Sequence, residues 1–301
     1  MSAVCQSSCA GYWYPANAAE LRELLFERFG TARAHSLPLE SGVDAGFVVP
    51  HAAPLYSGKV AAAAYTRLTE LHPRRVLILG FCHSGAHPGI AIPPFDTYRT
   101  PLGDIALDLQ AIDSLLGQPC FQFARVSDHS VEVQLPFLQL TAPEACIVPL
   151  FVGQLNVRER ETAATALIEL LTNGTVLIAS SDFTHYGRSF GFVPFPLDSE
   201  TPRRIREQDM ETIRAIAALD LPEYRERLRR CPESLCGDFP VSLLIETLRR
   251  FRTHVVSHIL DYAQSGEMTG DYRQSVSYAA LAFSAAPESW TGRPQVEIGL
   301  V

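Results

Sequence analysis

At 301 residues, 47% hydrophobic and 19% charged, the chain has the length for one large α/β domain or two smaller ones and the composition to bury a sizeable core. Its formal net charge of −8 excludes the basic footprint of a general nucleic-acid binder, and it has no run of about 18 apolar residues to span a membrane. Seven cysteines, at 5, 9, 82, 120, 146, 231 and 236, lack disulfide-framework spacing, and no basic-then-apolar leader opens the sequence, so a reduced cytoplasmic protein is expected.

Residues 1–10, with Cys5 and Cys9, read as a flexible terminus, and 11–283 as a single domain without internal repeat or linker. GYWYP at 11–15 is turn-like. Asn17 is a good N-cap for a helix over Ala18–Phe29, whose Leu21, Leu24, Leu25 and Phe26 keep to one face. Phe47–Val49 is a short buried strand that stops at Pro50, which has no N–H for an interior ladder. His51 follows at once, and Ser57-Gly58 opens an alanine-rich helix over Val60–Leu71. Val76–Leu79 is a second buried strand, running into GFCHSG and His83. Ala86–Leu102, with prolines at 88, 93, 94 and 101, reads as a long irregular loop, a feature that is usually functional inside a compact domain. Asp104–Leu109 resumes regular structure and Asp108–Leu116 is helical.

Asp128–Leu140 begins polar, with His129, and turns amphipathic, Pro136 restricting any helix through it. Ile147–Val152 is a third buried strand, and Arg158–Leu171 a helix closed by Asn173-Gly174. Thr175–Ala179 is a fourth strand, leading into SSDFTHYG with Asp182 and His185. Helices follow at Pro202–Leu219, at Pro222–Arg230 and, after the LCGDFP turn with Cys236, at Val241–Phe251. His254–Tyr262 and Ser275–Phe283 are the last strands, on either side of a glycine-rich loop, and 284–301 is an extended tail. Buried strands alternating with helices imply a three-layer α/β fold, with a central, mostly parallel sheet flanked by helices.

The nine histidines are unevenly placed. His51, His83 and the Asp182/His185 pair each follow a buried strand, and parallel strands would bring them to one carboxyl edge. A single histidine of this kind is ordinarily a satisfied structural side chain; three strands ending this way form a signal. His35, His72, His87, His254 and His258 read as surface or structural. Imidazoles joined by the Cys236 thiol suit a transition metal rather than Mg or Ca. Gly58-Lys59 is not a P-loop, because Ala53 and Val60 stand where glycine and Ser/Thr are needed. No G-x-S-x-G elbow is present, and Ser180 and Ser181 read as caps or turn formers. The arginine-rich helices read as solvated faces paired with interspersed Glu and Asp.

The blocks GYWYPANAAELRELL, PHAAPLYSGKVAAAAY, RRVLILGFCHSG, TPLGDIALD, DHSVEVQLPFL, IVPLFVG, ASSDFTHYG, CGDFP and YAQSGEMTGDYRQSVSYAA run in this order from about residue 11 to 283. Together they resemble the Memo-like proteins, which are similar in fold to the class III extradiol dioxygenases. Where the usual blocks read PHAGY, GPSH and Glu before the HS pair, this chain has PHAAP, GFCH and Asp128. The resemblance implies metal ligands at His51, His83 and Cys236, with His129, Asp182 and His185 lining the same pocket. It implies Fe(II) or Cu as the metal, with Zn as a further option, in a redox-active, dioxygenase-like oxidoreductase. It also implies a small-molecule or peptide substrate, and AMMECR1-like and radical S-adenosylmethionine proteins as partners. In such a site His129 or His185 would move protons and Asp182 would orient His185. A thiolate in place of a carboxylate ligand argues against ring cleavage itself, so the dioxygenase likeness is one of fold. Two other classes stay open: a non-enzymatic binding protein with a vestigial metal site, and a Cys- or metal-dependent hydrolase pairing Cys236 with a histidine base.

Overall fold

The structure is a computed structural model that describes residues 3–32, 44–85, 87–172, 174–231, 235–251, 255–285 and 296–298. His35, Asn173, His254 and most of the expected tail lie outside these residues.

The chain starts with a strand, β1 (Val4–Gln6), paired in parallel with β5 (Thr97–Thr100) and through it with β6 (Gly103–Ala106). This corrects the expectation of a flexible terminus. The first residues lie down because Cys5 and Cys9, both free thiols, and Tyr14 join the core. In α1 (Ala18–Thr31) the Asn17 side chain accepts from the amides of Ala19 and Glu20 at 2.8 and 3.2 Å. Leu21 and Leu25 form its buried stripe, while Phe26, a further 100° round the helix, is 60% exposed, contrary to expectation.

Four strands, β2 (Asp44–Val49), β3 (Arg75–Gly80), β8 (Cys146–Val152) and β9 (Thr175–Ser180), form the parallel centre of a ten-stranded sheet, in the order β2-β9-β3-β8. Helices cover both faces, and that is why these strands read as unbroken apolar runs and not as alternating patterns. Antiparallel strands extend the sheet on either side. Beyond β2 come β12 (Gln274–Ala285) and β11 (Val255–Gln264), with β13 (Val296–Ile298) at the edge and β10 (His185–Gly187) attached to β12. Beyond β8 come β4 (Ile90–Ile92) and β7 (Phe121–Phe123), the latter preceded in the chain by α3 (Leu109–Leu116). β4 and β5 occupy the stretch expected to be irregular: its prolines bound the two short strands, at 88 and 93 for β4 and at 94 and 101 for β5.

Helix α2 (Pro54–Leu71) begins earlier than the expected Ser57, because Pro54 at the first helical position needs no amide partner. Its buried run Ala61–Ala64 lets it lie close to β2, β11 and β12. α4 (His129–Glu132) gives way at Val133 to α5 (Gln134–Thr141), and Pro136 is accommodated in the first turn of α5. α1 and α5 pack on α2. In the other layer α6 (Val157–Leu170) and α8 (Leu221–Arg230) pack on α9 (Asp238–Phe251), which runs along β2, β3, β8 and β9. The arginines of α7 (Thr201–Ala217), α8 and α9 meet acidic neighbours, as in Arg203–Glu207, Arg227–Glu211 and Arg250–Glu246, so these faces are ion-paired and solvated. Among the described residues no helix is long and apolar enough to cross a membrane.

Candidate metal centre

The carboxyl ends of the parallel strands converge as the topology requires. β2 hands over through Pro50 to His51, β9 through Ser180 and Ser181 to Asp182, and the turn before α9 brings Cys236 to the same point. His51 is buried, and its Nδ1 lies 2.9 Å from Ser180 Oγ. The Ser180 hydroxyl gives its own hydrogen to the Ser130 carbonyl and accepts one from Gln134 Nε2 at 3.0 Å. Gln134 is itself fixed, its Nε2 donating to the Pro50 carbonyl at 3.0 Å and its Oε1 accepting from the Tyr65 hydroxyl at 2.6 Å. Ser180 therefore has only an acceptor position left for the imidazole, so the proton of His51 sits on Nδ1. The Nε2 lone pair faces Cys236 Sγ at 3.1 Å.

Asp182 ties this group together. Its Oδ1 accepts the amides of His51 and Ala52 at 2.8 and 3.2 Å, and its own amide donates to Cys236 Sγ at 3.2 Å. The Gly237 amide donates to Ser181 Oγ at 3.0 Å, and a Cβ at Gly237 would fall 2.5 Å from the Ser181 Cβ, so glycine is required for this approach. Ser181 is thus the turn former expected, whereas Ser180 is a hub beneath His51. Burial, with the charge of His83 second, lowers the His51 pKa to about 3. Burial, with Asp182 second, pushes the Cys236 thiol well up, and burial also raises the Asp182 carboxyl. Imidazole and thiol are consequently both neutral near pH 7.

A second group faces this one. His83, at the end of β3, lies with Nδ1 2.8 Å from Asp128 Oδ1, and its amide donates to Oδ2 at 2.8 Å. Asp128 also caps α4 by accepting from the Ser130 amide at 2.9 Å and lies 3.4 Å from His129 Nδ1. Burial works against the charge on Asp128, but the bonds from His83 and the amides outweigh it and hold the carboxyl well below the usual range. The His129 ring is stacked between His83 and Trp13, with centroid distances of 4.0 and 3.8 Å, and the His51 ring stands edge-on to His83 and His129 at 5.3 and 5.4 Å. Burial, followed by the neighbouring imidazoles, lowers the His129 pKa to about 3.

Ligand atoms reach mutual metal-binding spacing, within 4.8 Å, in two groups among the described residues: His51/His83/His129 and His51/Asp182/Cys236. His51 is common to both, whereas His83 and Cys236, expected beside it as one trio, fall in different groups. His51, His83, His129, Asp182 and His185 all line one cavity of about 640 Å³, with Trp13 and Phe190 in its walls. Cys236 opens instead to an adjoining cavity of about 260 Å³ that it shares with His83 and Cys82. The Cys82 thiol lies 3.0 Å from Ser84 Oγ and belongs to neither group. Among the described residues no hydrogen bond joins Asp182 to the His185 ring, although the two act on each other's charge; Asp182 Oδ1 accepts the His51 and Ala52 amides. Trp13 and Ser180 belong to the site without having been expected there. Trp13 sits in an aromatic turn, and Ser180 resembles any polar residue at a strand end.

The donor chemistry fits a borderline-soft transition metal: a neutral imidazole lone pair, a thiol that a cation can deprotonate, and a second oriented imidazole in His83.

Residues 6–282 match the family model described as Memo-like protein. A MEMO1 family protein of Methanosarcina acetivorans is 32% identical over 282 residues, which cover 92% of this chain and 97% of that protein. The memo-1 homolog of Caenorhabditis elegans is 31% identical over 295 residues, covering 91% and 81% respectively. A solved structure of an uncharacterized protein from Escherichia coli K12 matches with a TM-score of 0.49 and 14% identity, covering 79% of this chain and 98% of its own. With the family model spanning nearly the whole fold and these relatives each aligning over about nine-tenths of the sequence, the chain belongs to the Memo-like protein family.

Proposed function

We propose that this Memo-like protein holds one Fe(II) or Cu ion at His51 and works as a redox-active oxidoreductase on a small molecule or peptide group that enters the larger cavity. The observation that carries this reading is the fixed Nε2 lone pair of His51, aimed at a thiol 3.1 Å away. His51 Nε2 and Cys236 Sγ would hold the ion, with Asp182 of the same ligand group and His83 of the facing group as further donors. When bound, the ion would supply one-electron chemistry and draw the proton from the Cys236 thiol. Ser180 keeps the His51 ring in the ligating tautomer, and Asp128 does the same for His83, its ionised oxygen accepting the Nδ1 proton. His185 lines the cavity with the Asp182 charge beside it and lies outside both ligand groups, so it is the imidazole placed to take or return a proton. Trp13 and Phe190 would offer apolar surface to a bound molecule. All seven cysteines are free, which supports a cytoplasmic setting for this chemistry.

A Cys–His hydrolase would require a thiolate beside an imidazolium. Burial drives this pair the other way, thiol up and imidazole down, and so disfavours that ion pair, leaving the 3.1 Å contact as an S–H···Nε2 hydrogen bond that a metal cation would replace.

Elemental mass spectrometry of anaerobically purified protein tests the proposal. The expected result is about one Fe or Cu per chain, and none in a His51→Ala variant that keeps its circular dichroism. Equal metal in the two proteins would overturn it, and a folded wild type without metal affinity would favour a non-enzymatic binding protein.

A further inference from the structure

Glu132 is fully buried, yet none of the chemistry above uses it. Its carboxylate accepts five hydrogen bonds, all from one short segment at the start of the chain. Oε1 accepts from the Ser7 hydroxyl at 2.5 Å, the Cys9 amide at 2.9 Å and the Tyr14 hydroxyl at 2.8 Å. Oε2 accepts from the Ser8 amide at 3.0 Å and the Ser8 hydroxyl at 2.7 Å. Burial opposes the charge, but these donors prevail and hold the carboxyl below its ordinary range.

The segment so held carries Trp13, whose ring lies flat on His129, 3.8 Å away with 15° between the planes. His129 lies in turn on His83, 4.0 Å away at 24°. His129 and Glu132 are the two ends of α4, a helix of four residues, too short to hold its own shape without outside contacts. Ring stacking is individually weak, so the stack needs its outer ring fixed by something stronger. Charge-assisted hydrogen bonds from the same segment are stronger, roughly twice a neutral bond each.

We propose that Glu132 is a positioning residue for the metal centre: it docks residues 7–14 as a strap, so that Trp13 clamps the His129 and His83 rings in ligating orientation. The outer half of the site is therefore incomplete without the first residues of the chain. This inference rests on the metal-binding reading above.

The test uses the full chain and Zn(II), a redox-silent probe. The variant Ser7→Ala/Ser8→Ala/Tyr14→Phe removes three of the five donors and leaves the two amides. Glu132→Gln is the second variant. Two quantities are read: alkylation of the buried Cys9 by a small maleimide, located by peptide mass, and the Zn(II) dissociation constant by chelator competition. In both variants Cys9 labels several times faster and Zn(II) binds about tenfold more weakly. Trp13→Ala reproduces the loss of affinity, and Trp13→Phe, which keeps a flat ring, restores most of it. Faster labelling with unchanged Zn(II) affinity would make Glu132 merely structural and overturn the proposal, as would unchanged labelling. A wild type that binds no Zn(II), Fe(II) or Cu would remove the metal reading and the positioning role with it, while the labelling would still report whether the strap is docked.

Discussion

His51, Asp182 and Cys236 are held by amide bonds at two strand ends and the turn before α9, whereas the His83 and His129 rings lean on one carboxylate and one indole. In the inner half, strand ends fix the backbone and amides do most of the bonding: His51 and Ala52 to Asp182, Asp182 to Cys236, Gly237 to Ser181. In the outer half, one carboxylate orients His83 and one indole covers His129. A group held by main-chain bonds changes little when a neighbouring side chain is altered; a group held by one side chain follows that side chain. The inner half should therefore be rigid and sensitive mainly at its ligands. The outer half should be tunable.

Four substitutions break or sharpen this contrast, in descending order of effect. His51→Ala removes the residue common to both ligand groups, and metal affinity falls by more than the roughly 100-fold that loss of an orienting partner costs; chelator competition measures it. Ser180→Ala strikes the side chain that fixes the His51 ring. It leaves His51 Nδ1 and a Gln134 Nε2 hydrogen without their acceptor, so stability drops by about 3 kcal/mol in urea unfolding. Asp128→Asn frees the His83 ring, and affinity falls about tenfold with a smaller loss of stability. An affinity change as large as that of His51→Ala would erase the distinction between the halves.

The smallest effect is in pH. The Glu132 carboxyl has a lower pKa in the folded chain than its unfolded value near 4.5, so the folded state binds this proton less readily than the unfolded state. Its contribution is fully present above that value and is lost as pH falls through the lower folded value. The stability gap between wild type and Glu132→Gln in urea should be constant from about pH 7 to about pH 5 and narrow below about pH 4.5. A gap that widens in acid would contradict the strap's electrostatic basis.

The strand-end residues were largely legible in the sequence, because β2, β3, β8 and β9 carry apolar runs and His51, His83 and Asp182 follow closely after three of them, His51 and Asp182 in the inner half and His83 in the outer. The short strands β1, β4 and β5 were not, since three or four residues give no periodicity to read. Phe26 shows the limit of a pattern: it sits among the apolar residues of α1 yet points to solvent. Ser180, Trp13 and Glu132 were missed for one shared reason. Each acts through partners distant in sequence, such as the 118 positions between Tyr14 and Glu132. Local pattern does not encode such pairs.

A metal held between His51 and Cys236, as proposed, would have the Cys236 sulfur as a neighbour. X-ray absorption at the zinc edge of Zn(II)-loaded protein tests it directly. The spectrum should show one sulfur scatterer at about 2.3 Å beside nitrogen or oxygen ligands, lost in a folded Cys236→Ser variant. A wild-type spectrum without sulfur, or a sulfur shell that survives in Cys236→Ser, would contradict it.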